Sequence, residues 1–383
     1  MKLGYKRLGD YIQLVDERNR NLKVTNLLGI SVTKNFIPSV ANIVGTDMAN
    51  YKIVRKNQFA CSIMQVRRDK KMPVALYLEE NPSIISQAYP IFQVIDESIL
   101  LPEYLMMWFT RNEFDREACF LAVGGVRGSL EWEDFLNMQL PIPSLEKQKE
   151  LIEEYEAVEN RIQLNKKLCA TLEETAQTIY KHWFVDFDFP DENGKPYKSS
   201  GGEMVECEEL GKEIPKRWRV GRIEELFILQ RGHDLPSQNR MEGSYPIFAS
   251  TGISEFHNEY KVDFPTVITG RSGSLGEVFY YDKPCWPLNT ALYIKKFINS
   301  NAFHSYYFLQ RLNLKEKGTG SAVPTLNRNH IHELITTIPD VFTLTEFEII
   351  VKNINNKLQN VEDQTQKLEE LKSLLLGKMA VGS

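Results

Sequence analysis

The sequence predicts a mixed α+β chain: two globular domains separated by two long antiparallel coiled-coil helices, with an approximate two-fold that comes from an internal repeat. Three observations lead there. The first is heptad spacing. Leu151, Tyr155, Val158, Ile162, Asn165, Cys169, Leu172, Ala176 and Ile179 step by four and three alternately, and Phe347, Val351, Ile354, Leu358, Val361, Thr365, Leu368, Lys372 and Leu375 do the same. Sustained over about four heptads, that spacing describes a coiled-coil seam. The second is self-similarity: "GGVRGSLEWEDFLNMQLPIP" (124–143) lies over "GSAVPTLNRNHIHELITTIP" (320–339) without a gap at an offset of 196 residues, and the two seams keep that offset. The third is the content of the intervening chain, where β-like runs such as "QFACSIMQV" and "PTVITG" mix with turn residues and a helix-like "LPEYLMMWFTR".

Taken in order, residues 1–143 form the first globular domain. Pro141 and Pro143 end it in extended conformation, and Ser144 is placed to cap the helix that Glu146 and its neighbours begin. That helix, 144–185, carries a heptad stretch of about 35 residues, or about 50 Å at ~1.5 Å per residue. The polar stretch "PDENGKPYKSSGGE" (190–203) marks 186–209 as an interdomain linker. Residues 210–339 form the second domain, whose identities to the first fall at Gly124/Gly320, Leu130/Leu326, Ile142/Ile338 and Pro143/Pro339, with Ser129/Thr325 and Phe135/Ile331 similar. Upstream, "MMWFTR" and "YYFLQR" align at an offset of 200, which is ordinary loop variation. Pro339 and Asp340 open the second helix, 340–383. Asn165, Thr365 and Lys372 interrupt the seams, as polar residues that fix register do. The same periodicity also suits two long helices docked separately on globular cores.

Composition narrows the function classes. At 383 residues and 42% hydrophobic, the chain can bury more than one core. It has no apolar run near the roughly 20 residues that span a bilayer, and "MKLGYKRLGD" lacks a signal peptide's apolar stretch, so no membrane is expected and the chain is placed in the cytoplasm. The five cysteines are scattered, and His330 and His332 have no further ligand at metal spacing. The net charge of −5 argues against a uniformly basic nucleic-acid binder. The acid is local, however: residues 185–209 hold two basic and eight acidic side chains, whereas 210–335 hold sixteen basic and twelve acidic. Basic groups of the globular parts remain available to phosphate.

Catalytic patterns are absent. An adenine methyltransferase needs a [DNS]-P-P-[YFW] element, and "NPSI" (81–84) has one of the two prolines and no aromatic residue. Asp340 followed by Glu370 and Lys372 imitates a nuclease triad on paper, but the last two lie on a heptad helix. "ITGRSGSLGEV" spaces its glycines G-x-x-G-x-x-G and lacks the G-K-[ST] of a nucleotide loop.

The chain resembles the specificity subunit of type I restriction-modification enzymes over essentially its whole length. The resemblance is carried by "GISVTKNFIPSVAN", "YKIVRKNQFACSIMQVRRDKK", "LPEYLMMWFTRNEFDR" and "GGVRGSLEWEDFLNMQLPIPSLEKQ" in the first half. In the second half it is carried by "IYKHWFVDFDFP", "EIPKRWRVGRIEELF" and "VITGRSGSLGEV". It implies a non-catalytic reader of double-stranded DNA, with two target recognition domains that each read one half of a split site. The helix pair would set the unread spacer and dock two methylation subunits. Those subunits bind S-adenosylmethionine, so no cofactor is expected on this chain; two restriction subunits, motor and nuclease, can then join. The rival from another class is a coiled-coil scaffold with two protein-binding heads.

Within that resemblance, residue chemistry picks the candidate DNA contacts. Arginine can engage guanine by two hydrogen bonds and asparagine adenine, while lysine holds phosphate. The "QVRRDKK" run offers Arg67, Arg68, Lys70 and Lys71 on a strand edge or hairpin, and Arg127 stands near glycines that allow close approach to a backbone. The second domain offers Arg271, Ser272 and Ser274 in a glycine-rich loop after a strand, with Asn289 and Arg328 as weaker candidates. Trp286 reads as a core or base-of-loop aromatic.

Overall fold

A computed structural model describes residues 5–39, 46–64, 66–123, 128–319 and 324–379. The chain divides into two units, residues 1–166 with 363–383 and residues 167–362. The long helices, predicted as separators, each contribute a half to both units.

In the first unit, strand β1 (Tyr5–Arg7) pairs antiparallel with β10 (Gln139–Pro141), so the start of the domain closes on its end. Between them one sheet has the order β2 (Ile12–Val15), β9 (Ile91–Val94), β6 (Gln58–Cys61), β7 (Val74–Leu76). A second has the order β4 (Phe36–Pro38), β3 (Leu27–Ile30), β8 (Ser83–Ile85), β5 (Lys52–Val54). The helices are α1 (Val66–Asp69), α2 (Pro102–Thr110), α3 (Asn112–Leu121), α4 (Trp132–Asn137) and the long α5 (Leu145–Phe184). β6 is buried along its whole length, as a central strand of this composition should be. On it Phe59 stacks on Phe92 of β9 at 5.0 Å, and Phe109 of α2 meets both rings edge-on at 5.8 and 6.2 Å. Each such burial is worth about 2 kcal/mol or more, which fixes α2 over the sheet.

The second unit repeats this plan. After a hairpin of β11 (Met204–Cys207) and β12 (Lys212–Pro215), β13 (Arg219–Arg222) pairs with β21 (Ile335–Ile338) as β1 does with β10. One sheet runs β14 (Phe227–Arg231), β20 (Ala291–Phe297), β17 (Thr266–Gly270), β18 (Val278–Tyr281), the same order of first, last and middle strands as β2-β9-β6-β7. The other runs β16 (Gly252–His257), β15 (Tyr245–Ala249), β19 (Trp286–Pro287). Helices α6 (Ala302–Arg311), α7 (Arg328–His332) and the long α8 (Val341–Lys378) complete it. The offset of 196 falls on element starts: α4 and α7 begin at Trp132 and Arg328, β10 and β21 at Gln139 and Ile335, α5 and α8 at Leu145 and Val341. Leu130 and Leu326 are both buried, as are Phe135 and Ile331. Gly124 and Gly320 lie outside the described residues.

The long helices pack together antiparallel in each unit. In the first unit, Glu154 and Glu159 on α5 pair with Lys378 and Lys372 on α8 at 3.8 and 2.6 Å, and the Asn165 amide donates to Thr365 Oγ1 at 3.2 Å. In the second, Ala176, Tyr180 and Trp183 cluster with Leu344, Phe347 and Val351, and the Phe347 ring lies 4.9 Å from Phe184. All the residues named for the seams are buried or half-buried, as the heptad spacing required.

Both helix starts are capped by the residues that precede them. Ser144 Oγ accepts the Lys147 N–H at 3.3 Å, and Asp340 accepts the Thr343 N–H at 3.0 Å. Asp340 also takes the Trp218 indole N–H at 3.0 Å and Arg217 at 3.1 Å, so this carboxylate is a structural cap. Gln148, fully buried, ties α5 to its domain: its amide donates to the carbonyls of Ile99 and Pro143 and accepts from the Leu101 N–H. The polar stretch 190–203 is folded rather than extended. Tyr197 N–H donates to the Phe189 carbonyl, and Phe189 stacks on Tyr197 at 4.8 Å and on Trp218 at 5.2 Å.

Candidate nucleic-acid interface

In the second domain, sheet topology brings three loops to one edge. β20 lies antiparallel between β14 and β17, so the ends of β14 and β17 and the start of β20 lie side by side. Arg231 ends β14, Arg271 follows β17, and Asn289 precedes β20. The Arg271 backbone N–H donates to the Thr290 carbonyl at 2.8 Å, and its guanidinium donates to the Asn289 carbonyl at 3.1 Å. The Asn289 amide in turn donates to Asp234, which also holds Arg231 at 3.2 Å. A fourth segment joins them: Gly273 N–H donates to the Pro324 carbonyl at 3.1 Å and Leu326 N–H to the Arg271 carbonyl at 2.8 Å.

The glycines make this loop possible. Gly273 and Gly276 have φ of 87° and 101°, in the left-handed region that side chains avoid, and a Cβ on Gly270 would lie 2.1 Å from the Ser274 carbonyl oxygen. Ser274 and Arg328 are exposed, and Arg271 and Ser272 half-buried. Arg328 begins α7, two residues beyond the Leu326 bond, so Arg271, Ser272, Ser274, Asn289 and Arg328 are brought to one region. Asn289 has its amide donor engaged by Asp234 and serves as a tether in this state. Trp286 is buried at 5% exposure, a core aromatic that closes on His233.

In the first domain, Arg67 and Arg68 lie on α1, with Lys70 and Lys71 just after it, in the connection between the antiparallel β6 and β7. The connection is a hairpin, as anticipated, but its basic part is a helical turn and not a strand edge. Val66 at the start of that turn is buried, which pins it, and Asp69 forks to Arg68 at 2.7 Å. Arg67, Lys70 and Lys71 are exposed. Arg127 lies outside the described residues; its neighbour Gly128 has φ of 76°, and a Cβ there would be 3.0 Å from the Arg67 Cβ.

The two candidate loops are equivalent. Each joins the third to the fourth strand of the corresponding sheet, and each is held by the same backbone bond. Leu130 N–H donates to the Ile63 carbonyl at 2.9 Å, as Leu326 does to Arg271 at 2.8 Å.

Lys34, in the β3–β4 turn with φ of 66°, was not legible as part of the site. Its ammonium is buried and bonds Asp115 at 2.9 Å, while Asp115 also accepts the Met72 N–H at 3.1 Å. Burial pulls the Lys34 ammonium below its usual range, and the bond to Asp115 opposes that. The pair is separated by 81 residues and fastens α3 to the chain just after Lys71. His332 is buried, and its Nε2 accepts the Leu229 N–H at 2.9 Å, which is a structural role. Burial lowers its pKa accordingly. Among the described residues no His/Cys/Asp/Glu group could hold a metal, and no helix is long and apolar enough to cross a membrane.

Comparison with known proteins agrees with this duplicated design. The family model described as type I restriction modification DNA specificity domain matches twice, at residues 42–174 and 215–373. The MjaIX type I restriction enzyme specificity subunit of Methanocaldococcus jannaschii is 25% identical over 329 residues, 80% of this chain and 74% of that one. The HindI specificity subunit of Haemophilus influenzae is 32% identical over 101 residues, 25% of this chain and 22% of that one. In fold, the crystal structure of the type I restriction-modification S subunit from M. genitalium is similar with a TM-score of 0.62 at 15% identity, covering 98% of this chain and 95% of that one. The chain belongs to the type I restriction-modification specificity family, and is the non-catalytic DNA specificity subunit of such a system.

Proposed function

We propose that this chain reads a DNA target in two parts, one with each globular domain. Residues 1–143 and 210–339 are the reading domains, 144–185 and 340–383 the helices between them, and 186–209 the connection. The observation that carries this is the equivalence of the two strand-to-strand loops. The loop with the first domain's basic run and the glycine-rich loop with Arg271 hold the same place in a duplicated sheet. A duplicated scaffold with unlike loops in equivalent places suits two half-sites of different sequence.

On this reading Arg67, Arg68, Lys70, Lys71 and Arg127 serve the first half-site, and Arg271, Ser272, Ser274, Asn289 and Arg328 the second. Arginine serves base edges or phosphate and lysine serves phosphate. The helix pair sets the unread gap and docks two methylation subunits, which carry S-adenosylmethionine; two restriction subunits complete the enzyme when present. A complex that works on its host's DNA operates in the cytoplasm.

Duplex binding by the chain assembled with its methylation subunits, measured across a salt series, tests this. Affinity for a target duplex should fall steeply with salt, about one power of salt concentration for each phosphate neutralised, and should exceed affinity for a scrambled duplex at every salt. Equal affinity for both duplexes would overturn the reading.

A further inference from the structure

Among the described residues helix α3 has no counterpart in the second domain: α6 matches α2, but turns follow it over 312–317, whereas α2 is followed at once by α3. This extra helix stands beside the basic loop of the first domain. Asp115, on its inner side, is fixed by Lys34 and by the Met72 N–H. The Cys119 thiol donates to the Val66 carbonyl at 3.6 Å, tying the helix to the residue before Arg67.

The outer side carries Asn112, Arg116 and Phe120, spaced by four and therefore in one stripe. With Arg67, Lys70 and Lys71 they line a single open depression. Its only carboxylate among these lining residues, Asp115, is neutralised from below by Lys34. Phe120 is 76% exposed, an unusual place for a phenylalanine, and sits in a basic depression instead of an apolar patch. Arg116 is held by an exposed contact to Glu113 at 2.9 Å, which a stronger partner can displace.

Asparagine, arginine and an aromatic side chain are the residues that read adenine, guanine and the thymine methyl in a major groove, and a helix of ordinary diameter fits that groove. We propose that α3 is a recognition helix for the first half-site, with Asn112, Arg116 and Phe120 contacting base edges while Arg67, Lys70 and Lys71 contact the flanking backbone. The inference rests on the bipartite reading above. It also gives a reason for the two half-sites to differ: one domain has a helix to place in the groove and the other has a glycine-rich loop.

The test uses the full chain assembled with its methylation subunits and a randomised duplex library, with selected sequences read at each half-site separately. Arg271→Ala identifies the half-site of the second domain. Phe120→Ala, Arg116→Ala and Asn112→Ala should each relax preference at one or two base pairs of the other half-site by about 10- to 100-fold and leave the second unchanged. Arg116→Lys should lose that preference while keeping affinity for non-target duplex, because lysine keeps the charge and loses the fork. These positions are on the surface, and unchanged thermal unfolding confirms folding. Variants that keep the wild-type preference at both half-sites, or that weaken all duplexes equally, overturn the proposal. A wild-type complex that selects no sequence overturns the bipartite reading itself.

Discussion

The backbone N–H of Leu326 donates to the carbonyl of Arg271 at 2.8 Å, which fixes the base of the second domain's loop independently of the arginine side chain. Arg271→Ala should therefore leave the loop in place and remove one reader. Preference at the base pair it contacts should fall by about 1–3 kcal/mol, with the other half-site unaffected in competition binding. A uniform loss on all duplexes would make Arg271 a phosphate contact.

Asn165 and Thr365 form the polar step in the helix pair, 3.2 Å apart. Asn165→Leu removes the hydrogen bond between the helices and should cost about 1 kcal/mol in urea unfolding, whereas Asn165→Leu with Thr365→Val should be near neutral. A double variant as unstable as the single one would show that the pair does not act as a unit.

Lys34 and Asp115 form a buried pair, so removing one leaves an uncompensated charge. Lys34→Met should destabilise the first unit by about 3 kcal/mol, read as a lower urea midpoint. Asp115→Asn, which can still accept the Met72 N–H, should cost less. The reverse order would mean that the ammonium contributes little.

His304 is buried among Phe184, Tyr180 and Phe308, with Ser300 on its Nδ1 at 2.8 Å. Burial brings its pKa from 6.5 down to about 3. Between those values the unfolded chain binds a proton that the folded chain does not. The stabilisation is complete above about pH 6.5 and falls by up to ~1.4 kcal/mol per unit as pH drops toward 3. Urea midpoints measured from pH 7.5 to 4.5 should show that slope, and His304→Met should flatten it; an unchanged slope in the variant would assign it to other groups.

The sequence was most informative where a period is long and local. The heptad seams, the caps at Ser144 and Asp340, and the offset of 196 all have counterparts in the structure, because helical burial depends on residues three and four apart. Strand order was not legible, since pairing of β6 with β9 rests on contacts between distant residues. Lys34 meeting Asp115 across 81 positions leaves no local trace either. The packing of 190–203 was hidden for another reason: its polar, glycine-bearing composition looks like a tether, while the aromatics Phe189, Tyr197 and Trp218 that hold it are spread along the chain. The Arg67–Lys71 run showed its charge but not its helical turn, which is too short to display a period.

The most direct measurement is a genome-wide map of methylated adenines in hosts carrying the wild-type chain or one with a heptad inserted in both α5 and α8. One split motif is expected from the wild type, and the same two half-sites with a longer unread gap from the insertion. Altered half-sites at an unchanged gap, or no split motif in the wild type, would contradict the account.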